Sequence, residues 1–340
     1  MTTPTTRLAA LLALVVLSLG VARTALAAEQ PYSSFSIRPV SGSAGYFVLA
    51  GKRGGTLAAS FRIVNTGTKV GTALVYAVDA TTGATSGAVY LDRVRKRRGA
   101  GKWIRLPVKR VTLRPGEARI VRFQVRIPRR MRSGHHLGGI VAENLELTGG
   151  NTTSRRSGLR VRVRHLSIVA VQVNLPGRAV PKMTFHGVRV GVSSGYEVLY
   201  LGFRNAGDVL VRPRLTLQVR DARGRVVVRR AQNLDTFVPR TRIRYPSYLT
   251  GKPLRSGTYR LAGSLTYLGR VTRFRATFGI SRAHIKELAK TRPEVAAEVA
   301  SDTGQSTRIW ALMGGALVAG LIVGGLAMWL RVPIRRRVRR

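Results

Sequence analysis

Apolar and polar residues alternate along several short segments of the chain, and many of the polar positions hold arginine. In the segment from Arg119 to Ile127, for example, Val121, Phe123 and Val125 alternate with arginine and glutamine. A period of two places one set of side chains in a core and the other in water, as in a half-buried β-strand. The same reasoning predicts strands in alternating or apolar segments at 47–49, 56–64, 73–80, 159–164 and 272–278.

Turn residues separate these segments, and no helical period appears before about residue 282. Short strands at regular spacing, with Gly-, Asn- and Pro-containing turns between them, are typical of β-sandwiches. We therefore predict an all-β ectodomain of two tandem immunoglobulin-like antiparallel β-sandwiches. A short helix is expected only after residue 282, around Ile285 and Leu288.

An internal repeat supports two copies of one fold. Its landmarks follow the same order in both halves of the chain. From the asparagine landmark to the proline landmark, the first copy is longer than the second by about 16 residues. The basic segment 92–101 falls in that interval, which predicts an inserted loop. A segment with two prolines and a glycine, Leu175 to Pro181, is the predicted linker. The matched landmarks are Asn65-Thr-Gly67 with Asn205-Ala-Gly207, Pro115 with Pro239, and Met131-Arg-Ser-Gly134 with Leu254-Arg-Ser-Gly257.

A membrane span is predicted near the C-terminus, since Ile309 to Leu330 contain no charged side chain and an arginine-rich segment follows them. A helix of this length reaches roughly 33 Å, which is enough to cross a hydrocarbon core of about 30 Å. Trp310 and Trp329 lie near its two ends, where indole rings favour the headgroup region. Together with the basic residues that follow, they predict one transmembrane α-helix with a cytoplasmic C-terminus.

The N-terminal segment has Arg7 before an apolar run and closes with Ala25-Leu26-Ala27, which is typical of a cleaved secretory signal. A signal and a C-terminal span predict a single-pass protein of the cell membrane with its N-terminal domains extracellular. The predicted organisation is a signal peptide at 1–27, a first β-sandwich at 28–176, a second at 177–281, a stalk at 282–307, the transmembrane helix at 308–331 and a basic cytoplasmic tail at 332–340.

Small residues recur at four-residue spacing in the predicted span, at Ala316, Gly320 and Gly324. Such a stripe allows two helices to pack closely, which would give a homodimer through the span. Small residues also occur in spans that have no partner, so both alternatives stay open.

The chain has 59 Lys and Arg against 14 Asp and Glu, which gives a formal net charge of +45 at pH 7. The excess lies in both predicted sandwiches, whereas the predicted stalk is balanced. Charge of one sign on folded domains predicts partners that are polyanions, or surfaces rich in phosphate or carboxylate. Nucleic acid is also a polyanion and would satisfy the same charge requirement. The predicted topology, however, separates these domains from the genome and favours cell-wall polymers. A role in solubility, or a compositional bias towards arginine, is the alternative.

No pattern in the chain predicts catalysis, a metal site or a cofactor. Cysteine is absent, and adjacent His135 and His136 point to opposite faces if they lie in a strand, which makes a poor chelate. Glu143 and Glu146 are three residues apart in a β-prone stretch, so they are also expected on opposite faces, as plain surface charges. Esterase and phosphate-loop motifs are missing as well. We predict a protein that is not an enzyme and binds no cofactor.

The inserted loop is the best candidate for contact with an anionic polymer, although a run of cations is more often a solvated, mobile loop. Trp103, the only tryptophan outside the predicted span, is a candidate for stacking on a sugar ring. Burial between the sheets is the commoner fate of such a residue, and it remains the alternative. The candidate cations are Arg93, Arg95, Lys96, Arg97 and Arg98.

Five short motifs follow one another in the first half: Asn65-Thr-Gly67, Lys102-Trp-Ile-Arg-Leu106, Leu113-Arg-Pro-Gly-Glu117, Ile127-Pro and Gly138-Gly-Ile140. In this order they resemble the peptidoglycan-binding domain of the WxL-interacting protein family of Gram-positive bacteria. The second half, with Leu254-Arg-Ser-Gly-Thr-Tyr259, is similar to the immunoglobulin-like domain that follows in that family, before a C-terminal membrane helix. The resemblance implies a non-enzymatic surface protein that binds peptidoglycan and has WxL proteins or other surface ligands as partners.

These features predict a cell-surface protein, anchored by one membrane helix, whose basic sandwiches bind peptidoglycan or another anionic wall polymer. A WxL-type or other surface protein is a further predicted partner, and nucleic acid is not. The rival hypothesis is a structural or assembly subunit of a membrane protein complex that is recognised through its span and its second domain.

Overall fold

The computed structural model describes residues 31–42, 45–146 and 164–291, together with the backbone of 152–153 and 160–161. Two separate hydrophobic clusters organise these residues, the first between Phe35 and Leu175 and the second between Met183 and Ile280. Among these residues, no helix combines the length and apolar character that a membrane crossing requires. The predicted signal peptide, the span and the basic tail lie outside the described residues.

The first sandwich is built from two sheets and a separate small hairpin. One sheet has the strand order β1-β3-β8-β6, and the other has the order β2-β12-β9-β4-β5, with β7 also paired to β4; β10 and β11 pair only with each other. The strands are β1 (Phe35–Pro39), β2 (Phe47–Ala50), β3 (Thr56–Asn65), β4 (Gly71–Thr82), β5 (Ala88–Tyr90), β6 (Ile104–Arg105), β7 (Arg110–Leu113), β8 (Ala118–Arg126), β9 (Gly134–Asn144), β10 (Thr152–Thr153), β11 (Arg160–Val161) and β12 (Leu166–Leu175).

The alternation seen in the sequence decides which faces of these sheets meet. In β8, Val121, Phe123 and Val125 are buried while Arg122 and Arg126 are exposed, as predicted. A core between two facing sheets confirms the prediction of an all-β sandwich. The prediction that every strand pair is antiparallel is wrong at one place, because β2 runs parallel to β12 at the edge of its sheet.

The second sandwich has the sheets β13-β14-β17 and β16-β15-β18-β19. Phe203 lies at the centre of its core, with Phe237 and Phe274 packed edge-on against its ring. A helix, α1 (Arg282–Ala289), follows the last strand, and Ser281 caps it by accepting a hydrogen bond from the His284 backbone N–H. The strands are β13 (Met183–Ser193), β14 (Tyr196–Asn205), β15 (Arg214–Arg220), β16 (Val226–Asn233), β17 (Arg242–Leu249), β18 (Gly257–Tyr267) and β19 (Arg270–Ile280).

A buried asparagine closes the corresponding strand in each sandwich. The amide of Asn65 donates to the carbonyls of Lys69 and Leu113, at 2.8 and 3.0 Å, and its oxygen accepts from the Gly67 N–H at 3.0 Å. Asn205 repeats this arrangement, because its amide donates to Val209 and Phe237 at 2.9 and 3.0 Å and its oxygen accepts from the Gly207 N–H at 3.0 Å. The two Asn-x-Gly turns found in the sequence are therefore structural equivalents.

The other landmarks of the repeat also agree in backbone geometry. The residue after each matched proline has a positive φ, 73° at Gly116 and 63° at Arg240, and its N–H donates to the carbonyl of the asparagine in its own sandwich. Gly134 and Gly257, which begin β9 and β18, have φ values of 102° and 151°. Positive φ favours glycine because it has no Cβ, which explains three of these four residues.

The two sandwiches meet through backbone groups. The His135 N–H donates to the Asp208 carbonyl at 2.8 Å, and the Leu210 N–H donates to His135 Nδ1 at 3.1 Å. Burial lowers the pKa of His135, which keeps the imidazole neutral so that Nδ1 can accept this bond. A Cβ on Gly134 would lie 2.2 Å from the Asp208 carbonyl oxygen, so the close approach requires glycine at this position.

We expect Asn65→Ala and Asn205→Ala each to lower the free energy of unfolding by about 3 kcal/mol, since each leaves buried backbone groups without partners at about 1–3 kcal/mol apiece. Urea denaturation followed by circular dichroism measures the change. Asn233→Ala, at an exposed position in β16, is the control and should change the free energy by less than about 0.5 kcal/mol. Similar values for all three variants would contradict a structural role for the buried amides.

Candidate functional site

The predicted polymer-binding cations lie in one exposed loop after β5. Side chains from β5 and from this loop reach over the outer face of β9, because the Tyr90 ring packs on Gly139 and Arg93 reaches Glu143. Burial against this face raises the pKa of Tyr90 to about 12. The inserted segment thus covers a sheet face that would otherwise meet water. The exposed loop cations are Arg93, Arg95, Lys96, Arg97 and Arg98.

Asp79 of β4 holds the C-terminal side of this loop. Its carboxylate accepts hydrogen bonds from the backbone N–H groups of Arg98, Gly99 and Gly101 at 2.5, 2.9 and 2.8 Å. A Cβ on Gly101 would lie 2.3 Å from the Val78 carbonyl group, so only glycine allows the loop to approach β4 this closely. The base of the loop is therefore fixed while its cationic side chains stay in water.

A buried carboxylate holds the N-terminal side. The Glu143 side chain is 0 % exposed and accepts from Arg164 Nε at 2.7 Å, from Arg164 Nη2 at 2.9 Å and from the Tyr76 hydroxyl at 3.0 Å. Arg164 also donates to Asp92 at 2.6 Å, which connects the pair to the start of the loop. The Arg164 guanidinium holds the pKa of Glu143 below its usual range. The expectation that Glu143 is a plain surface charge is wrong, because its side chain is buried beneath Arg164 and Tyr76.

A signal for this burial was present in the sequence. From Leu137 to Ala142 the residues are apolar or glycine without interruption, which is typical of a strand buried on both faces. Glu146 lies just beyond β9 and makes an ion pair with Lys69 at 3.2 Å at the surface. The expectation of a surface charge therefore suits Glu146 but not Glu143.

Trp103 lies inside the first core. Its indole is 4 % exposed, and the His136 ring packs against it with the ring centroids 4.8 Å apart. A sugar ring needs an open indole face, so this burial favours the alternative of a core residue and corrects the stacking role. His136 lies beside His135 in β9 and bonds the Arg132 carbonyl through Nε2 at 3.0 Å. Within the part of the chain that the structure describes, no group of three metal-ligating side chains occurs.

The outer face of the sheet β1-β3-β8-β6 carries five arginines. The strand registers place them together, since Arg38 pairs with Arg62 across β1 and β3, and Arg122 pairs with Ser60 across β8 and β3. None of these four strands contains an aspartate or a glutamate. We call this surface the first arginine face; its cations are Arg38, Arg62, Arg105, Arg122 and Arg126, all exposed.

The second sandwich carries a similar surface on the sheet β16-β15-β18-β19. The strand registers bring its arginines together in neighbouring rows. In one row Arg220 pairs with Arg260. In the next row Gln218 has Arg229 on one side, and on the other side Ala262, which pairs in turn with Arg275. These four strands also lack acidic residues. The cations of this second arginine face are Arg214, Arg220, Arg229, Arg260, Arg273 and Arg275, all exposed. The alternation in the sequence already indicated part of both faces, but the row-by-row neighbours required the strand pairing.

The joint between the sandwiches borders a cleft of about 700 Å³. One carboxylate lines it, Asp208, and this group is paired with Arg240. Arg53 donates to the Met131 carbonyl at 2.6 Å and to the Ser133 hydroxyl at 2.9 Å, which fixes its guanidinium at the rim. The cleft is therefore cationic. The arginines that line it are Arg53, Arg129, Arg130, Arg132 and Arg240.

Comparison with protein-family models and with curated proteins finds no match. Among solved structures, the chain is similar to the class 5 fimbriae chaperone CfaA, with 12% identity over 73% of this chain and 99% of that chain and a TM-score of 0.31. A chain of the CsuC-CsuE chaperone-tip adhesion subunit complex from Acinetobacter baumannii gives 8% identity over 71% and 97%, with a TM-score of 0.34. The E. coli chaperone DraB gives 12% identity over 72% and 96%, with a TM-score of 0.32. Values this low do not establish a shared function.

We expect Glu143→Gln to lower the free energy of unfolding by about 2 kcal/mol at pH 7, because it removes the charge that Arg164 pairs with in a buried site. Folding lowers the pKa of Glu143, so its contribution is complete above the ordinary value of 4.5 and is lost as pH falls through the lower folded value. The difference between the two proteins in urea denaturation should therefore shrink below about pH 4.5.

Glu287→Gln is the matched control, since Glu287 forms an exposed pair with Lys290 at 2.8 Å. This substitution should change the free energy by less than about 0.5 kcal/mol at any pH. A Glu143→Gln protein that is as stable as the unsubstituted chain at pH 7 would show that the buried pair does not hold the loop.

Proposed function

We propose that the protein is a non-enzymatic cell-surface protein that binds peptidoglycan or another anionic wall polymer through the arginine faces of its two sandwiches. A single C-terminal membrane helix anchors it, with the sandwiches outside and the C-terminus in the cytoplasm. A WxL-type or other surface protein is proposed as a further partner on the strength of the sequence motifs alone.

The observation that carries this proposal is the absence of acidic residues from both arginine faces. A neighbouring carboxylate usually cancels much of the positive electrostatic potential of an exposed arginine. The eight strands that form the two faces contain no aspartate or glutamate. Planar guanidinium groups bind carboxylate and phosphate oxygens in a bidentate manner. A polymer that carries such groups at regular intervals would therefore contact several arginines of one face at once.

The basic loop and the cleft support the same proposal. The loop is held at both ends, by Asp79 and through Asp92, so its cations project from a fixed base. The cleft adds five arginines between the two sandwiches. Each group is exposed to solvent salt, and the Debye length is about 8 Å at physiological ionic strength, so binding by these groups should weaken as salt is added.

We expect the purified protein to sediment with insoluble peptidoglycan sacculi and to be released by salt. Substitution of Arg260, Arg273 and Arg275 by glutamine should weaken retention about tenfold, since three exposed charge contacts at about 0.5 kcal/mol each are lost. Neutralising the loop cations from Arg93 to Arg98 in the same way tests the loop. The measurement is the fraction bound as a function of sacculus concentration.

The matched control removes the same charge elsewhere on the first sandwich, with Lys109, Arg110 and Arg114 replaced by glutamine; all three are exposed and lie outside both arginine faces. Its retention should stay within about twofold of that of the unsubstituted chain. Equal losses in the control and in the face variant would mean that net charge alone drives retention. No retention at low salt would refute polymer binding.

A further inference from the structure

One end of the second sandwich differs in chemistry from the rest of the protein. The loops 221–225 and 250–256 meet there, and α1 begins there, because Gly257 at the start of β18 pairs with Ile280 at the end of β19. The opposite end, with Asp208 and Arg240, faces the first sandwich. We call the free end the C-terminal end surface, since the chain leaves the sandwich from it towards the predicted span.

Aromatic and aliphatic side chains are exposed on this surface. Tyr196 and Tyr248 are 42 % and 36 % exposed, and their rings pack edge to face with the centroids 6.5 Å apart. Val226 and Val227, at the start of β16, are exposed as well. Tyrosine rings with one apolar and one wet side are typical of the headgroup region of membranes.

Cations lie beside the exposed valines, and Val227 itself lines the pocket that holds them. A pocket of about 500 Å³ opens between the residues that start β16 and the loop 250–256. Arg223 is exposed beside it, in the loop between β15 and β16. The cations that line the pocket are Arg225, Arg229, Arg230, Lys252 and Arg255.

The carboxylates at this end are already engaged. Asp221 is paired with Arg225, with Nη2 and Oδ2 2.9 Å apart. Glu197 is buried, where it accepts from the Leu254 N–H at 3.1 Å and contacts His284 Nε2 at 3.1 Å. Arg223 and Lys252 form no ion pair with either of these carboxylates.

We propose that the C-terminal end surface docks on the anionic phospholipid headgroups of the membrane in which the chain is anchored; this inference rests on the proposed anchor. Lysine and arginine attract anionic lipid phosphates, while the two tyrosines and two valines enter the headgroup layer. A wall polymer matches the arginine faces, whose strands expose no tyrosine, but it does not explain the exposed pair Tyr196 and Tyr248. The position of the surface fits as well, because only residues 292–308 separate it from the predicted span.

The test uses the full chain with one fluorescent label. The chain has no cysteine, so Gly251→Cys gives a single labelling site, and a Cβ at this position meets nothing within 4 Å. The labelled protein is reconstituted into vesicles of phosphatidylcholine alone or with added phosphatidylglycerol, both with an acceptor dye on a lipid headgroup. Energy transfer from residue 251 should be higher with phosphatidylglycerol and should fall when salt is added.

Arg223→Gln with Lys252→Gln should abolish most of this increase, since each cation near an anionic membrane surface changes the ratio of docked to undocked protein about fivefold. Lys109→Gln with Arg110→Gln removes the same charge from the first sandwich and should leave the transfer unchanged. A label at Gly45→Cys, in the first sandwich and also free of neighbours within 4 Å, should report no dependence on the lipid.

Transfer from residue 251 that is equal in both kinds of vesicle and insensitive to the double substitution would overturn the docking proposal and leave the anchor intact. A rise in transfer only when another protein is added would overturn it in favour of a protein partner. Failure of the full chain to float with either kind of vesicle would refute the anchor and, with it, this docking. Sacculus binding is measured separately, so its failure is distinguishable from all three results.

Discussion

Several carboxylates among the described residues hold loops and joints, and they are therefore not available to pair with the arginines of the sheet faces. Asp79 accepts three backbone N–H groups at the base of the basic loop, Glu143 is buried against Arg164, and Glu197 fixes the end of the second sandwich. No disulfide is available for these tasks, because the chain has no cysteine. The chain has 14 acidic residues against 59 basic ones, and the strands that carry the arginine faces contain no aspartate or glutamate.

The two sandwiches share a backbone plan but differ in what covers their sheets. Asn65 and Asn205 make equivalent buried bonds, so both copies keep the same connection between a strand and the opposite loop. Only the first copy carries the insertion, which lies over the outer face of β9 and brings Arg93 near Glu143. β9 is thus buried on both of its faces along most of its length, while one sheet of each copy keeps an open face rich in arginine.

The sequence predicted those features of the fold that depend on residues close together in the chain. Period-two alternation located β8 and its arginines, and the paired Asn-x-Gly turns located the repeat, because both depend on neighbouring residues in the chain. The buried Glu143, the parallel pairing of β2 and the burial of Trp103 depend on segments far apart in sequence, so alternation alone did not indicate them. The arginine faces lay between these cases: their members were visible as alternating residues, but their grouping into one surface needed the strand registers.

The contact between Gly134 and the Asp208 carbonyl has a consequence for multivalency. Backbone groups packed without space for a methyl group join the two sandwiches at this point, so both arginine faces belong to one joined body. For a polymer long enough to span both faces, occupation of one face raises the effective concentration of the chain at the other, and avidity replaces single-site affinity. Oligomers too short to bridge the two faces gain nothing from the pair. If the proposed polymer binding holds, two faces on one joined body would distinguish an extended wall polymer from its soluble fragments by length, without any contact that reads chemical identity.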